Sequence, residues 1–212
     1  MHIQDVYHQF IEGMKQTTWL EYIAVFTGIA SVWFSRLENI WVYPTGLINT
    51  IIYIYLSFAG GLLGEASVNF YYTVMSVYGW WQWARRDSHN QLVVHISYSS
   101  KKEWSLHLAF FAFFYVAIFF ALTFLKQWFE GAIPWADAFA SATAYTGMWL
   151  MTKKKVESWY WWIATNVASI PLYFVKHFVF TSVYYVVLLV MAVFGLTEWI
   201  KRTSATSKPH NY

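Results

Sequence analysis

The chain has 212 residues, of which 58% are hydrophobic, 23% aromatic and only 12% charged, with a formal net charge of +3. So little charge cannot cover a soluble body of this size, and so much aromatic content excludes a disordered chain. The absence of cysteine excludes a disulfide scaffold and a thiolate metal site, and the thinly spread positive charge argues against a nucleic-acid partner.

Segment length then points to a membrane. The hydrocarbon layer is about 30 Å thick, so a spanning helix needs roughly 20 mostly apolar residues. Met1–Thr18 is polar, with Asp5, Glu12 and Lys15, and lacks the apolar run of a signal peptide. Seven apolar stretches follow: Trp19–Phe34, Ile40–Phe58, Glu65–Trp83, Ser105–Phe124, Trp135–Met151, Glu157–Phe174 and Phe178–Ile200. The connections between them are short. The fold expected is an all-α integral membrane protein of seven transmembrane helices in a single domain, 1–212.

In the second stretch Thr45 and Asn49 are spaced i, i+4 and share a face. In the third, Asn69, Thr73, Ser76 and Trp80 recur at steps of four, three and four, flanked by Tyr72, and Ser76 falls about 16 Å along the helix from Glu65. In the sixth, Trp159, Trp162, Asn166, Ser169 and Tyr173 also lie on one face, with Asn166 about 10 Å in from the end that follows Lys153–Lys155. An amide at that depth is costly unless hydrogen-bonded, and indole faces attract an aromatic cation. Such stripes also arise from interfacial Trp belts and from hydrogen bonds between helices. Three of them in three helices argue for a shared wet cavity. Pro171 removes a backbone donor beside it. Glu21, Glu65 and Asp137 sit near segment starts, where a carboxylate caps a helix or attracts a cation.

Lys and Arg set the orientation. With the N-terminus outside, 11 of the 14 fall on the inner side and only Lys15, Lys126 and Lys176 on the outer. This asymmetry gives N-out, C-in. The polar loop from Arg85 to Lys102, including Val93–Tyr98, is then a solvated cytoplasmic loop.

An internal repeat is visible at an offset of 116, with 13 identities over the 68 positions from 19 to 86. They include the pairs Trp19/Trp135, Trp33/Trp149, Gly79/Gly195 and Trp83/Trp199. The offset spans four segments, so both copies enter the membrane in one direction. Residues 19–86 and 135–202 become two parallel three-helix units, joined by a linker helix at 105–124. Parallel repeats with a substrate site at their interface are a transporter architecture.

Competing chemistries lack their residues. A retinal protein needs a Schiff-base Lys in the last helix, and Phe178–Ile200 has none. No Gly-x-Ser-x-Gly is present, and His2, His8, His89, His95, His107, His177 and His210 show no metal-ligand spacing. The expectation is a transporter, not an enzyme, with no cofactor and no metal.

Four motifs carry a resemblance: Asn39-Ile40-Trp41 leading to Pro44-x-Gly46; Tyr78-Gly79-Trp80-Trp81-x-Trp83; Trp149 through Glu157; and Trp159-x-x-Trp162-x-x-x-Asn166. The chain resembles the PnuC-type vitamin transporters over about Trp19 to Arg202. The resemblance implies a three-plus-one-plus-three fold of the SWEET-like kind and a homotrimer in the bacterial inner membrane. It also implies facilitated uptake of nicotinamide riboside, trapped inside by phosphorylation. Riboside-carrying members often have a Gln, and an Asn seven positions later, where this chain has Asn69 and Ser76. Thiamine or another vitamin or nucleoside is therefore the alternative substrate. Taking the resemblance and the polar-aromatic stripes together, the substrate-binding residues expected are Trp162, Asn166, Trp159, Asn69, Ser76, Thr73, Asn49 and Tyr72.

Overall fold

The computed structural model describes residues 3–59, 63–124, 132–176 and 178–206. Lys126, Lys208, His2, His177 and His210, which entered the sequence argument, lie outside these. The described residues form eight helices: α1 (Ile3–Gln16), α2 (Trp19–Arg36), α3 (Val42–Ala59), α4 (Leu63–Ala84), α5 (Lys101–Phe124), α6 (Pro134–Thr152), α7 (Ser158–Val175) and α8 (Val179–Thr206).

The first of these refines the sequence reading, which described the N-terminal segment only as polar. Tyr7, Phe10, Ile11 and Met14 follow a helical spacing, with His8, Glu12 and Lys15 between them, so α1 is amphipathic rather than merely polar. It packs against α8, with Gly13 against Phe180 and the Phe10 ring 5.9 Å from that of Phe180. A capping box then starts α2: Thr18 accepts from the Glu21 N–H, and the Glu21 carboxylate accepts from the Thr18 N–H. Proline opens α6, where its missing donor is harmless, and Asp137 accepts from the Ile133 N–H.

Helices α2, α3 and α4 pack in succession, and so do α6, α7 and α8. The triplets meet where α4 touches α6 and where α8 touches α2, which closes a ring of six. Helix α5 packs on α6. Three helices, α3, α5 and α8, are long and apolar enough to cross a membrane by length and composition. The remaining four of the expected seven, α2, α4, α6 and α7, interleave polar and small residues with the apolar ones. Outward, the bundle shows Phe26, Ile51, Tyr55, Phe70, Phe113, Phe124 and Val187, an apolar skin suited to hydrocarbon. The protein is membrane-embedded.

One end of the ring is sealed by residues that stand 116 apart and touch. Ser35 Oγ lies 2.9 Å from Met151 Sδ. Lys154, only 2% exposed, places its ammonium 2.6 Å from Glu38 and 4.7 Å over the Trp83 ring. The Trp83 and Trp199 rings meet at 6.3 Å. Trp83 donates to the Met151 carbonyl at 3.3 Å, and Trp199 donates to the Ser35 carbonyl at 3.1 Å. The backbone repeats as well: the turns after α2 and α6 each place a non-glycine residue at positive φ, 58° at Glu38 and 51° at Lys154. Both are held by bonds from the residue's own N–H and the following one back to the helix end: Glu38 to Ser35 and Asn39 to Phe34, Lys154 to Met151 and Lys155 to Leu150.

The loop after α4 is not simply solvated. Ser97 exchanges backbone bonds with Lys154 and Val156, and Ser99 donates twice to the buried Glu157 carboxylate. Lys155 pairs with Glu103 at 2.9 Å. This strap ties the α6–α7 turn to the start of α5. The sequence could not show it, because it is an isolated bridge and two side-chain contacts to a turn 58 residues away rather than a continuous strand.

Candidate functional site

The ring encloses one large cavity of about 1380 Å³. It runs from Glu21, Glu65, Asp137 and Lys176 at one end down to Ser35, Tyr43, Met151 and Trp159, where the sealed layer stops it. All six ring helices line it, and α5 adds Ile118, Ala121 and Leu122.

The sixth apolar stretch of the sequence, now α7, supplies Trp162 and Asn166 to the cavity wall. Trp162 packs its indole against α6, where Gly147 leaves room: a Cβ there would sit 3.3 Å from the ring. Tyr72 of α4 faces the same indole at 6.1 Å between centroids. One turn along α7 is Asn166, 3% exposed as a residue and lining the cavity. Among the described residues its carboxamide has no hydrogen-bond partner. The amide opens on the cavity, so its donors and acceptor are available to whatever enters it.

Seven of the eight expected residues line this space: Trp162, Asn166, Trp159, Asn69, Ser76, Asn49 and Tyr72. Several are nonetheless committed elsewhere. Asn49 donates to the Ala24 carbonyl at 2.6 Å and so ties α3 to α2. Asn69 donates to the Glu65 carbonyl of its own helix. Thr73 stands behind the wall, donating to Thr50 at 2.9 Å, and Thr50 is the residue that faces the cavity. Trp159 is 1% exposed and wedged edge-on at 90° against Trp199, with its ring tip over Gly195. It belongs to the sealing layer as much as to the cavity. Pro171 leaves α7 unbroken, and Ser182 of α8 donates to the nearby Ile170 carbonyl at 2.8 Å.

Three tyrosines missed in the sequence complete the walls. Tyr145 stacks on Tyr71 at 4.1 Å and meets Tyr72 edge-on at 6.5 Å. Tyr185 stacks on Tyr173 at 5.2 Å, and Tyr184 aims its hydroxyl at Gly28. The small face of α6, with Ala140, Ser141, Ala144 and Gly147, was the available signal for Tyr145. Nothing in the apolar run of α8 distinguished Tyr184 and Tyr185 from lipid-facing aromatics.

At the open end, the acidic residues act partly as caps. Glu21 caps α2, Asp137 accepts from Ile133 and pairs with Lys176 at 2.7 Å, and Glu65 accepts from the Tyr173 hydroxyl at 3.4 Å. Among the described residues no group of three His, Asp or Glu is placed to hold a metal ion.

Transporters resemble this chain over most of its length. The riboflavin/roseoflavin transporter RibM of Streptomyces davaonensis is 23% identical over 201 residues, covering 94% of this chain and 93% of its own. The nicotinamide riboside transporter PnuC of Escherichia coli is 24% identical over 212 residues, covering 89% of this chain and 87% of its own. The crystal structure of a vitamin B3 transporter PnuC superposes with a TM-score of 0.74 over 95% of this chain and 89% of that one, at 23% identity. Residues 18–201 match the family described as nicotinamide mononucleotide transporter, and the protein belongs to that family of membrane transporters.

Proposed function

We propose that the protein carries a vitamin precursor, nicotinamide riboside first among candidates, across the bacterial inner membrane by facilitated diffusion, with intracellular phosphorylation as the trap. The observation that carries this reading is Asn166. It is a carboxamide that lines the cavity with no hydrogen-bond partner among the described residues, one turn from an indole that faces the same space. A flat cationic ring on Trp162 gains about 0.5–2 kcal/mol from the cation–π contact. A ligand amide or hydroxyl satisfies Asn166. Riboflavin is the second reading, favoured by the near-complete match to the RibM relative.

The architecture proposed with it is seven spans in two parallel units, 19–86 and 135–202, linked by α5 at 105–124, in a homotrimer. The contacts between positions 116 apart support the duplication. The N-terminus is placed outside and the C-terminus in the cytoplasm, on the Lys and Arg count. Cysteine labelling tests the orientation on a chain with no cysteine of its own. Ser158 and Lys154 are buried, so the exposed Ser88 and Glu12 are the informative positions. Glu12→Cys should react with an impermeant reagent from outside intact cells and Ser88→Cys should not. The reverse pattern sinks the assignment.

Calorimetry with nicotinamide riboside, nicotinamide, thiamine and riboflavin tests the substrate. Asn166→Leu should weaken the compound that binds the parent by more than tenfold, or at least about 1.4 kcal/mol. Unchanged affinity would remove Asn166 from the site.

A further inference from the structure

The two junctions between the triplets are covered differently on the outside. Helix α5 fills the groove at the junction of α4 and α6. There Phe114 meets Tyr71 of α4 at 6.3 Å and Tyr145 of α6 at 5.1 Å, and Phe110 stacks on Trp149 at 4.5 Å. The counterpart is the junction of α8 and α2, where Trp33 stands 116 positions before Trp149. Among the described residues no helix fills that groove. Helix α1 meets α8 at Phe180, about 21 Å along the helix from Phe194. Trp33 and Phe194 both remain exposed.

The open groove also carries a charge that its counterpart lacks. The position 116 after Arg36 is Thr152, which is buried and donates to the Trp149 carbonyl. Arg36 instead holds its guanidinium 4.8 Å over the Trp33 ring and 5.7 Å from that of Phe194. Val32, Trp33, Arg36, Met191 and Phe194 line a small crevice around it. Its Nε is buried without a partner, and the guanidinium has no ion pair or hydrogen bond among the described residues. Arg36 lies about 26 Å along α2 from Trp19, close to the hydrocarbon thickness, so it sits at headgroup level. Lys201 is exposed and seven residues past Phe194, hence on the same face of α8 and about 10 Å further out.

The carboxylates described at this end are already engaged. Glu38 pairs with Lys154, Glu103 with Lys155 and Glu198 with Arg202. Glu157 accepts from Ser99, and Asp87 accepts from N–H groups of its own turn. A second copy of the chain laid on this groove therefore brings no spare acid for Arg36. A lipid phosphate suits the planar guanidinium fork, and a tryptophan at this depth suits the headgroup boundary. Beyond Arg36 toward the bilayer centre, exposed Phe26 on α2 and exposed Val187 and Val190 on α8 give an acyl chain an apolar surface.

We propose that the groove between α2 and α8 at the sealed end holds an anionic phospholipid. Its phosphate rests on Arg36 with Lys201 nearby, and an acyl chain lies along Trp33, Phe194 and Val190. The site touches the seal from behind, because Trp199 donates to the carbonyls of Ser35 and of Arg36 itself. A lipid bound there pins α2 to α8 where the triplets meet, whatever solute the cavity takes.

Native mass spectrometry of the purified full chain reads occupancy, and thermal unfolding reads the pinning. The probes are phosphatidylglycerol and phosphatidylcholine with the same acyl chains, and inorganic phosphate. The parent should retain phosphatidylglycerol in preference to phosphatidylcholine and be stabilised by it. Arg36→Gln should lower that retention about tenfold and remove the extra stabilisation. Arg36→Lys should keep part of both. Lys153→Gln should change neither, since that cation sits over Trp149, which α5 covers. Unchanged phosphatidylglycerol retention in Arg36→Gln overturns the site. Stabilisation by inorganic phosphate equal to that by phosphatidylglycerol also overturns it, in favour of a free anion. Equal retention of the two lipids by the parent overturns it with no variant needed, which covers an Arg36→Gln chain that does not fold. Disulfide formation between copies through Trp33→Cys, in the otherwise cysteine-free chain, would make this face a contact between copies and overturn the lipid as its occupant.

Discussion

The two ends of the bundle are built on different principles. At the Lys154 end, residues 116 apart meet across the ring and seal it: Ser35 with Met151, Glu38 with Lys154, Trp83 with Trp199. At the Glu65 end, the corresponding acids, Glu21 and Asp137, each serve their own helix start, and the cavity reaches between them. Contact between equivalent positions closes a passage, and local capping leaves it open. The sealed end is therefore the tightly coupled one, and substitutions there should cost more than substitutions at the open end.

The largest effect is expected at Gly79 and Gly195. A Cβ on Gly79 would overlap the Tyr43 ring, and one on Gly195 would overlap the Trp159 ring. Neither ring has room to retreat, because Tyr43 is held edge-on by Trp83 at 5.2 Å and Trp159 by Trp199 at 5.5 Å. Gly79→Ala and Gly195→Ala should each lose about 3 kcal/mol in thermal or denaturant unfolding, the upper range for overpacking. Pairing Gly79→Ala with Tyr43→Leu should recover part of the loss. Alanine accepted at either position without loss would break the picture of a rigid seal.

Lys154 comes next. Its ammonium is buried, bonded to Glu38 and set over Trp83. Lys154→Met keeps most of the volume but strands Glu38. Removing one partner of a fully buried pair costs about 3–5 kcal/mol. Glu38 is 23% exposed and also has Arg202 at 3.5 Å, so the expected loss is lower, about 2 kcal/mol. Arg202→Gln in the Lys154→Met background should then cost more than it does in the parent. Additive losses would show that Glu38 does not bridge the two cations.

The sequence made the helices legible because they depend on patterns along the chain, and the offset of 116 was read from the same kind of pattern. Apolar length gave the seven stretches, and Trp19/Trp135, Trp83/Trp199 and Gly79/Gly195 gave the offset. The stripe on α7 was equally readable, since Trp162 and Asn166 share a face by spacing alone. What the sequence could not show was which polar groups already had partners. Asn49 and Asn166 look alike as buried amides, but Asn49 is spent on Ala24 and Asn166 is free among the described residues. Lys154 looked like one more solvated cation in a run of three, and only the three-dimensional pairing with Glu38 buries it.

The smallest effect is expected at the open end, at Asp137, which does two jobs that can be separated. Its carboxylate accepts from the Ile133 N–H at 2.6 Å and meets the Lys176 ammonium at 2.7 Å. Asp137→Asn keeps an oxygen for the N–H and loses only the charge. The pair is partly exposed, at 18% for Lys176 and 22% for Asp137, so water replaces much of what is lost. About 1 kcal/mol is expected, near the upper end for an ion pair in contact with solvent. Asp137→Ala loses the cap as well and should add about 1 kcal/mol more. High salt should shrink the difference between parent and Asp137→Asn but not the difference between Asn and Ala, because only the first is a charge interaction. If instead Asp137→Asn proves as damaging as Lys154→Met, with no response to salt, the open end is as tightly coupled as the sealed one. The contrast between equivalent residues that meet and equivalent residues that cap their own helices would then fail.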